Sequence, residues 1–231
     1  PNGTYNWYVP GDSLSTSVYL NLTHNSDPSN VYNFSKKVRI AGKILPPFKP
    51  ELNDVCTVNE TCNIKWLTQG NILNVSLRCY VPGKTFDIAS CAGSKGSEVS
   101  GYEWVIPNEV GIITNNATVR IIDNNDAQVY NYTPQFSIVP TFNITSPALG
   151  ESLTANSNYT IRWNTFGQVN KVNLYYDTNN FAGAGTLIVS NLTDEQNYVW
   201  YVNDTLSNNV QLRVAYMDDE RGYDDSPVFK I

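Results

Sequence analysis

Residues 102–138 hold three short alternating stretches in order: Tyr102-Glu103-Trp104-Val105-Ile106, then Ala117-Thr118-Val119-Arg120-Ile121, then Val129-Tyr130-Asn131-Tyr132-Thr133-Pro134-Gln135-Phe136-Ser137-Ile138. The same triplet returns at 198–231, as Tyr198-Val199-Trp200-Tyr201-Val202, Val210-Gln211-Leu212-Arg213-Val214 and a final run from Gly222 to Ile231. It also stands at 5–40, as Tyr5-Asn6-Trp7-Tyr8-Val9, Val18-Tyr19-Leu20-Asn21-Leu22 and a run from Val31 to Ile40. Trp7, Trp104 and Trp200 correspond; so do Tyr32, Tyr130 and Tyr223, and the endings Ile40, Ile138 and Ile231. Self-similarity at a period of roughly 95 residues marks a tandem array of one small fold, the size of an immunoglobulin-like sandwich.

Between the triplets an offset of 97 superposes further residues. Cys62-Asn63-Ile64-Lys65-Trp66 falls on Tyr159-Thr160-Ile161-Arg162-Trp163, and Val75, Leu77 and Cys79 fall on Val172, Leu174 and Tyr176. Alternation with period two, abundant Val, Ile, Tyr, Thr and Trp, and turns such as Val81-Pro82-Gly83-Lys84 and Asn124-Asn125-Asp126 predict short antiparallel strands and no helix. The fold class is all-β: tandem immunoglobulin/fibronectin-like β-sandwiches, preceded by the C-terminal half of a further repeat. The divisions are 1–40 (last three strands only), 41–139 and 140–231. Strands are expected near 43–47, 54–57, 61–67, 73–80, 102–106, 117–123 and 132–138, and near 141–145, 151–155, 158–164, 170–177, 185–190, 197–202, 209–216 and 226–231. The stretch 83–100 lacks a counterpart and reads as an inserted loop. Trp66 and Trp163, with Trp104 and Trp200, are expected to anchor the cores.

Composition narrows the compartment. The net charge is −6 and charged residues are only 16% of the chain, which argues against nucleic acid as a partner. No apolar run approaches the roughly 20 residues that span a bilayer. The chain opens at Pro1 without Met, as a mature or excerpted segment does. About 11 Asn-x-Ser/Thr sequons occur, about twice the chance expectation for this Asn, Ser and Thr content. They start at Asn2, Asn21, Asn33, Asn59, Asn74, Asn116, Asn131, Asn143, Asn158, Asn191 and Asn203. Several alternate with inward apolar residues, Asn21 beside Leu20 and Leu22 for example, so the acceptors fall on solvent faces. Covalent N-glycans and an extracellular or cell-surface location follow as expectations.

The four cysteines, Cys56, Cys62, Cys79 and Cys91, lie in one repeat. The other repeat has Leu153, Tyr159 and Tyr176 where Cys56, Cys62 and Cys79 stand, so the cysteines read as structural staples at inward positions. Their spacing is not that of a zinc ribbon, and His24 is the single histidine. Of three connectivities, the local pairs Cys56–Cys62 and Cys79–Cys91 are preferred, in keeping with an oxidising compartment.

One known family resembles part of this pattern. Ile144-Thr145-Ser146-Pro147, Asn158-Tyr159-Thr160-Ile161-Arg162-Trp163, Tyr198-Val199-Trp200-Tyr201-Val202 and Ser226-Pro227-Val228-Phe229-Lys230-Ile231 look like the Kre/Knh-type domain of the Ser/Thr-rich GPI-anchored cell-wall family. The resemblance is good over 141–231 and partial over 44–138, where Tyr132-Thr133-Pro134-Gln135-Phe136 matches the last element. It implies a sandwich on extracellular or cell-wall proteins, often in tandem, and no catalytic residues. The disulfide-bearing repeat and the lack of a Ser/Thr-rich tail depart from it, so a lipid anchor is not supported.

Residues 1–40 match only the last three strands of the fold. Alone they would expose Trp7, Val18, Leu20, Leu22 and Val38, and something must cover them. The cover is the preceding part of a longer chain, a neighbouring subunit that supplies strands, or another subunit's sheet. Ile231 closes a complete repeat and leaves no spare strand to donate, so head-to-tail contacts between copies that do not close, and hence filaments, are expected. The short linkers Ala41-Gly42-Lys43 and Val139-Pro140 predict a semi-rigid rod.

Chemistry is sparse. Nucleophilic catalysis needs a base near the nucleophile, and the single His24 lies in the turn-like stretch Thr23-His24-Asn25-Ser26-Asp27-Pro28 and reads as solvated; Ala182-Gly183-Ala184-Gly185 lacks the lysine and helix of a phosphate loop. Asp218, Asp219, Asp224 and Asp225 could serve calcium or a glycosidase pair, but a polar turn is the preferred reading. No catalytic residue, cofactor or metal site is assigned. The function class that fits is a non-enzymatic, glycosylated structural subunit of a filament or rod. The alternatives are a cell-surface adhesin or carbohydrate-binding module, using Phe181, Tyr216 and Tyr223, and an accessory cell-wall enzyme domain.

Overall fold

The structure, a computed structural model, describes residues 3–96 and 98–231. The sequon at Asn2 lies outside the described residues. No helix occurs among the described residues; the chain runs through strands alone. The half repeat holds β1 (Ser15–Val18), β2 (Asn21–Thr23), β3 (Tyr32–Phe34) and β4 (Val38–Ile40). The first sandwich holds β5 (Lys43–Ile44), β6 (Val55–Thr57), β7 (Thr61–Trp66), β8 (Thr68–Gln69), β9 (Asn74–Val81), β10 (Lys84–Gly93), β11 (Ser100–Val105), β12 (Thr114–Asp123), β13 (Tyr130–Tyr132) and β14 (Phe136–Val139). The second holds β15 (Thr141–Ser146), β16 (Asn158–Phe166), β17 (Lys171–Asp177), β18 (Thr186–Thr193), β19 (Asn197–Tyr201), β20 (Gln211–Tyr216) and β21 (Tyr223–Asp225).

Strand order makes each complete repeat a two-sheet sandwich. In the second, β15-β16-β19 faces β18-β17-β20-β21, all antiparallel. In the first, β7 pairs β11, and the facing sheet runs β10-β9-β12-β14-β6 with a parallel β14–β6 edge. This is the immunoglobulin/fibronectin arrangement, in which sheets pack through alternate residues. The alternation is plain on β7, where Cys62, Ile64 and Trp66 are buried and Thr61, Asn63 and Lys65 are exposed. Trp66 and Trp104 sit in one core, Trp163 and Trp200 in the other. Fully buried Trp66 and Trp163 remove roughly 5 kcal/mol each of apolar surface from water.

The half repeat folds as the end of the same module. In all three copies a hydroxyl on the last hairpin accepts a backbone N–H from the preceding strand. Ser35 Oγ accepts from Leu20 at 2.9 Å, Thr133 Oγ1 from Val119 at 2.9 Å, and Ser226 Oγ from Leu212 at 2.9 Å. Ser15 pairs with Ile40 as Thr114 pairs with Ile138.

The expected map needs three corrections. Residues 84–93 are no loop: the tight Pro82-Gly83 turn sends them back as β10, an edge strand on β9. The strands expected near 151–155 and 226–231 are single bridges, Ser152 to Lys230 and Val210 to Phe229. The third correction concerns the cysteines. Cys56 and Cys62 are joined, tying β6 of one sheet to β7 of the other, but Cys79 and Cys91 are free thiols. Cys79 stands opposite Phe86, five residues before Cys91 on β10. At about 3.3 Å per residue the two lie well beyond disulfide reach. Cys79 is buried, which pushes its thiol up to about 12, while Cys91 is exposed.

Candidate functional site

The two interdomain junctions are built alike, each from the last strands of one module and two turns of the next. At the second junction Gly167 takes φ +100, which favours glycine, and a Cβ there would stand 2.7 Å from Ile113 Cδ1. Asn108 Oδ1 accepts the Gly167 N–H at 2.7 Å. At the first junction Gly70 takes φ +82, and a Cβ would stand 3.0 Å from Leu14 Cδ2. There Gly11 O accepts the neighbouring Asn71 N–H at 2.7 Å. Gly70 and Gly167 are 97 apart, the offset of the repeat, and Leu14 and Ile113 each precede the residue paired to the module's closing isoleucine.

The second point of contact is also repeated. Arg39, just before Ile40, reaches the β12–β13 turn: its Nη1 lies 3.0 Å from Asp126 Oδ2 and donates to Gln128 Oε1 at 2.6 Å. Ser137, just before Ile138, meets the turn between β20 and β21, where Arg221 Nη2 donates to its Oγ at 2.8 Å. Arg221 is itself held by Asp219 in a two-pronged pair at 2.8 and 2.6 Å. The hydrogen bond from Arg221 keeps the Asp219 carboxyl below its usual value. Thr141 Oγ1 donates back to Val58 O across the same boundary. Leu14 from the half repeat and Phe166 from the second sandwich pack against the first core, so the three modules are continuous.

At the half repeat the inward face stands open. Trp7 is 45% exposed, whereas its counterparts Trp104 and Trp200 are 6% and 5%. Leu20, Leu22 and Val38 are exposed too, and Val18 is half-buried. Tyr5, Leu22, His24, Val31 and Tyr32 line an apolar hollow of about 730 Å³.

The acidic cluster is engaged. Asp225 binds Arg213 through both oxygens at 2.6 and 2.7 Å, and Asp219 binds Arg221. Asp224 accepts the Ile144 N–H at 2.9 Å, and burial raises its carboxyl. Arg213 is stacked between Phe181 and Tyr223, 4.1 and 4.0 Å from the ring centres, so two of the aromatics considered for sugar binding are occupied by a guanidinium. Tyr216 is half-buried and donates to Asp218.

Among the sequons, Asn21, Asn33, Asn59, Asn74, Asn116, Asn143, Asn158 and Asn191 are exposed. Asn131 and Asn203 are half-buried, with side-chain nitrogens donating to Ile44 O at 3.1 Å and Tyr176 Oη at 2.5 Å. A glycan on either nitrogen would displace that bond. The Arg39–Asp126 and Ser137–Arg221 contacts escaped the sequence reading: Asn124-Asn125-Asp126 and the stretch at Asp218 and Asp219 read as turns, but nothing local says which residue of the preceding module they meet.

No family model matches the chain, and no curated protein does. Solved structures similar to it include the fibronectin(III)-like modules of Clostridium thermocellum CbhA, at 13% identity over 81% of this chain and 93% of that one, with a TM-score of 0.31. A titin immunoglobulin tandem is 12% identical over 83% and 98%, with a TM-score of 0.29. The N-terminal four immunoglobulin domains of Dscam1 isoform 8.4 are 10% identical over 93% of this chain and 54% of that one, with a TM-score of 0.34. With likenesses this low, the fold rests on the chain's own strand order.

Proposed function

We propose that this chain is a non-enzymatic, heavily N-glycosylated extracellular structural protein that forms a filament or rod from its tandem sandwiches. Residues 1–40 are completed by a neighbouring subunit or by the rest of a longer chain. The observation that carries this reading is the open half repeat: Trp7, Leu20 and Leu22 face solvent where the equivalent residues of both sandwiches are buried. An exposed apolar patch of this kind marks an association surface. The repeated junctions supply what a rod needs, a fixed contact between successive modules. The exposed sequon asparagines would clothe it in glycans that shield edge strands such as β10 and β18. The resemblance of 141–231 to the Kre/Knh-type cell-wall domain is compatible with such a surface role.

The test joins two measurements on native material: electron microscopy, and the mass of the denatured, deglycosylated chain. Filaments with a mass near 25.8 kDa support completion by a neighbour. Filaments or rods of a several-fold heavier chain support completion in cis. A dispersed monomer without glycans would sink the reading.

A further inference from the structure

Arg120 on β12 and Arg213 on β20 hold the same place in their sandwiches. Each follows the residue whose N–H donates to the hydroxyl of the last hairpin, Val119 to Thr133 and Leu212 to Ser226. Each pairs across the sheet with the residue just before that hydroxyl, Tyr132 for Arg120 and Asp225 for Arg213. Each guanidinium also stacks on the tyrosine two positions earlier, Arg120 at 4.0 Å from the ring centre of Tyr130 and Arg213 at 4.0 Å from that of Tyr223.

The two arginines differ in what closes them. Both oxygens of Asp225 hold Arg213. Arg120 makes no ion pair among the described residues, and its Nε is buried without a hydrogen-bond partner. A buried N–H without an acceptor is uncommon in native proteins and costs free energy. The neighbours sharpen the difference. Across the first sandwich the row reads Asp87, Arg78, Arg120, Tyr132, two cations to one anion, and Arg78 takes that anion. Like charges directly opposite each other weaken a sheet, and an anion beside them would relieve it. Across the second sandwich the row reads Leu187, Tyr175, Arg213, Asp225, with its charges balanced.

The surface around Arg120 is aromatic. Tyr132 lies edge-on to Tyr80, 5.9 Å between ring centres, and to Tyr130 at 5.8 Å. Tyr130 and Tyr132 are exposed, and Tyr80 is half-buried. Tyrosines beside an unclosed guanidinium suit a ligand with both an apolar ring face and a carboxylate. A sugar acid has both: the C–H face of its ring packs on tyrosine, and its carboxylate accepts N–H bonds from arginine. We propose that Arg120, with Tyr80, Tyr130 and Tyr132, binds the carboxylate of an acidic sugar, which takes the part that Asp225 plays for Arg213. The second sandwich supplies that anion from its own chain, and the first receives it from outside. The site is independent of the filament reading, and its failure would leave that reading standing.

The experiment follows the arginine Nε–H resonances of the full chain by nuclear magnetic resonance during titration with D-glucuronate, D-glucose and acetate. Glucuronate should move the Arg120 resonance and saturate with a Kd of about 1–10 mM, while glucose and acetate each bind at least about tenfold more weakly. Arg120→Gln should lower glucuronate affinity at least about tenfold. Tyr132→Asp sets a carboxylate at the register of Asp225; it should abolish binding and melt higher than Tyr132→Asn, which loses the ring without gaining the charge. Thermal melts show that each variant is folded. No response to about 100 mM glucuronate, glucose binding as well as glucuronate, or full affinity in folded Arg120→Gln or Tyr132→Asp would overturn the site. Acetate binding as tightly as glucuronate would overturn the sugar assignment, since the arginine would then take any carboxylate.

Discussion

Replacing Gly167 by alanine should loosen the contact between the two sandwiches by an amount that can be divided. The residue sits at φ +100, where an L side chain costs about 1–2 kcal/mol of backbone strain. Its new Cβ would also stand 2.7 Å from Ile113 Cδ1 and 3.3 Å from Ile113 Cγ1. Ile113 must then leave its rotamer, at about 1 kcal/mol. The first cost lies within the second sandwich, and only the second crosses the junction. Gly167→Ala, Ile113→Ala and the double variant form a thermodynamic cycle. Denaturation of the four chains should show Gly167→Ala costing about 2–3 kcal/mol in the natural background and about 1 kcal/mol less beside Ala at 113. Small-angle scattering should report a wider distribution of interdomain angles for Gly167→Ala alone. A coupling of zero would mean that Gly167 and Ile113 do not touch in solution, and the semi-rigid rod would fail with it.

Three further outcomes are expected. Ser226→Ala strands the buried Leu212 N–H and should cost about 1–3 kcal/mol in urea denaturation, whereas Ser35→Ala exposes the Leu20 N–H to water and should cost under about 0.5 kcal/mol in the isolated chain. Removing both Cys56 and Cys62 should lower the stability of the first sandwich by about 2.5 kcal/mol by calorimetry, while thiol reagents label Cys91 but not Cys79 until the chain unfolds. Asp219 is held below its ordinary value, so its ionised form is favoured in the folded state. Its contribution is present above about pH 4 and is lost as the pH falls through the lowered value. A nuclear magnetic resonance titration should show that depression, and Arg221→Ala should abolish it.

Much of this architecture is written in local pattern. The recurrence of Trp7, Trp104 and Trp200, and of the closing isoleucines, defines the modules, because each such residue must fill the same place in the same sandwich. Alternation along 61–66 and 158–163 exposes the strands, since a period of two is set within a few residues. The apolar face of residues 1–40 is legible for the same reason: alternation marks Trp7, Leu20 and Leu22 as counterparts of residues that are buried in both sandwiches. The engaged amides of Asn131 and Asn203 were not, because Ile44 and Tyr176 are far from them in sequence. The run 84–93 was misread as a loop because an edge strand buries little and so carries weak alternation.

What the sequence alone determined is the repeat, its period, the all-β class and the residues that build each core. The tertiary structure decided the rest: that Cys79 faces Phe86 and cannot meet Cys91, that Arg39 finds Asp126, and that Leu14 and Ile113 meet the turns at Gly70 and Gly167. The reason is physical. Side-chain period is a property of one strand, but register and the meeting of one module's end with the next module's turns depend on pairings between residues tens of positions apart, which no local period encodes.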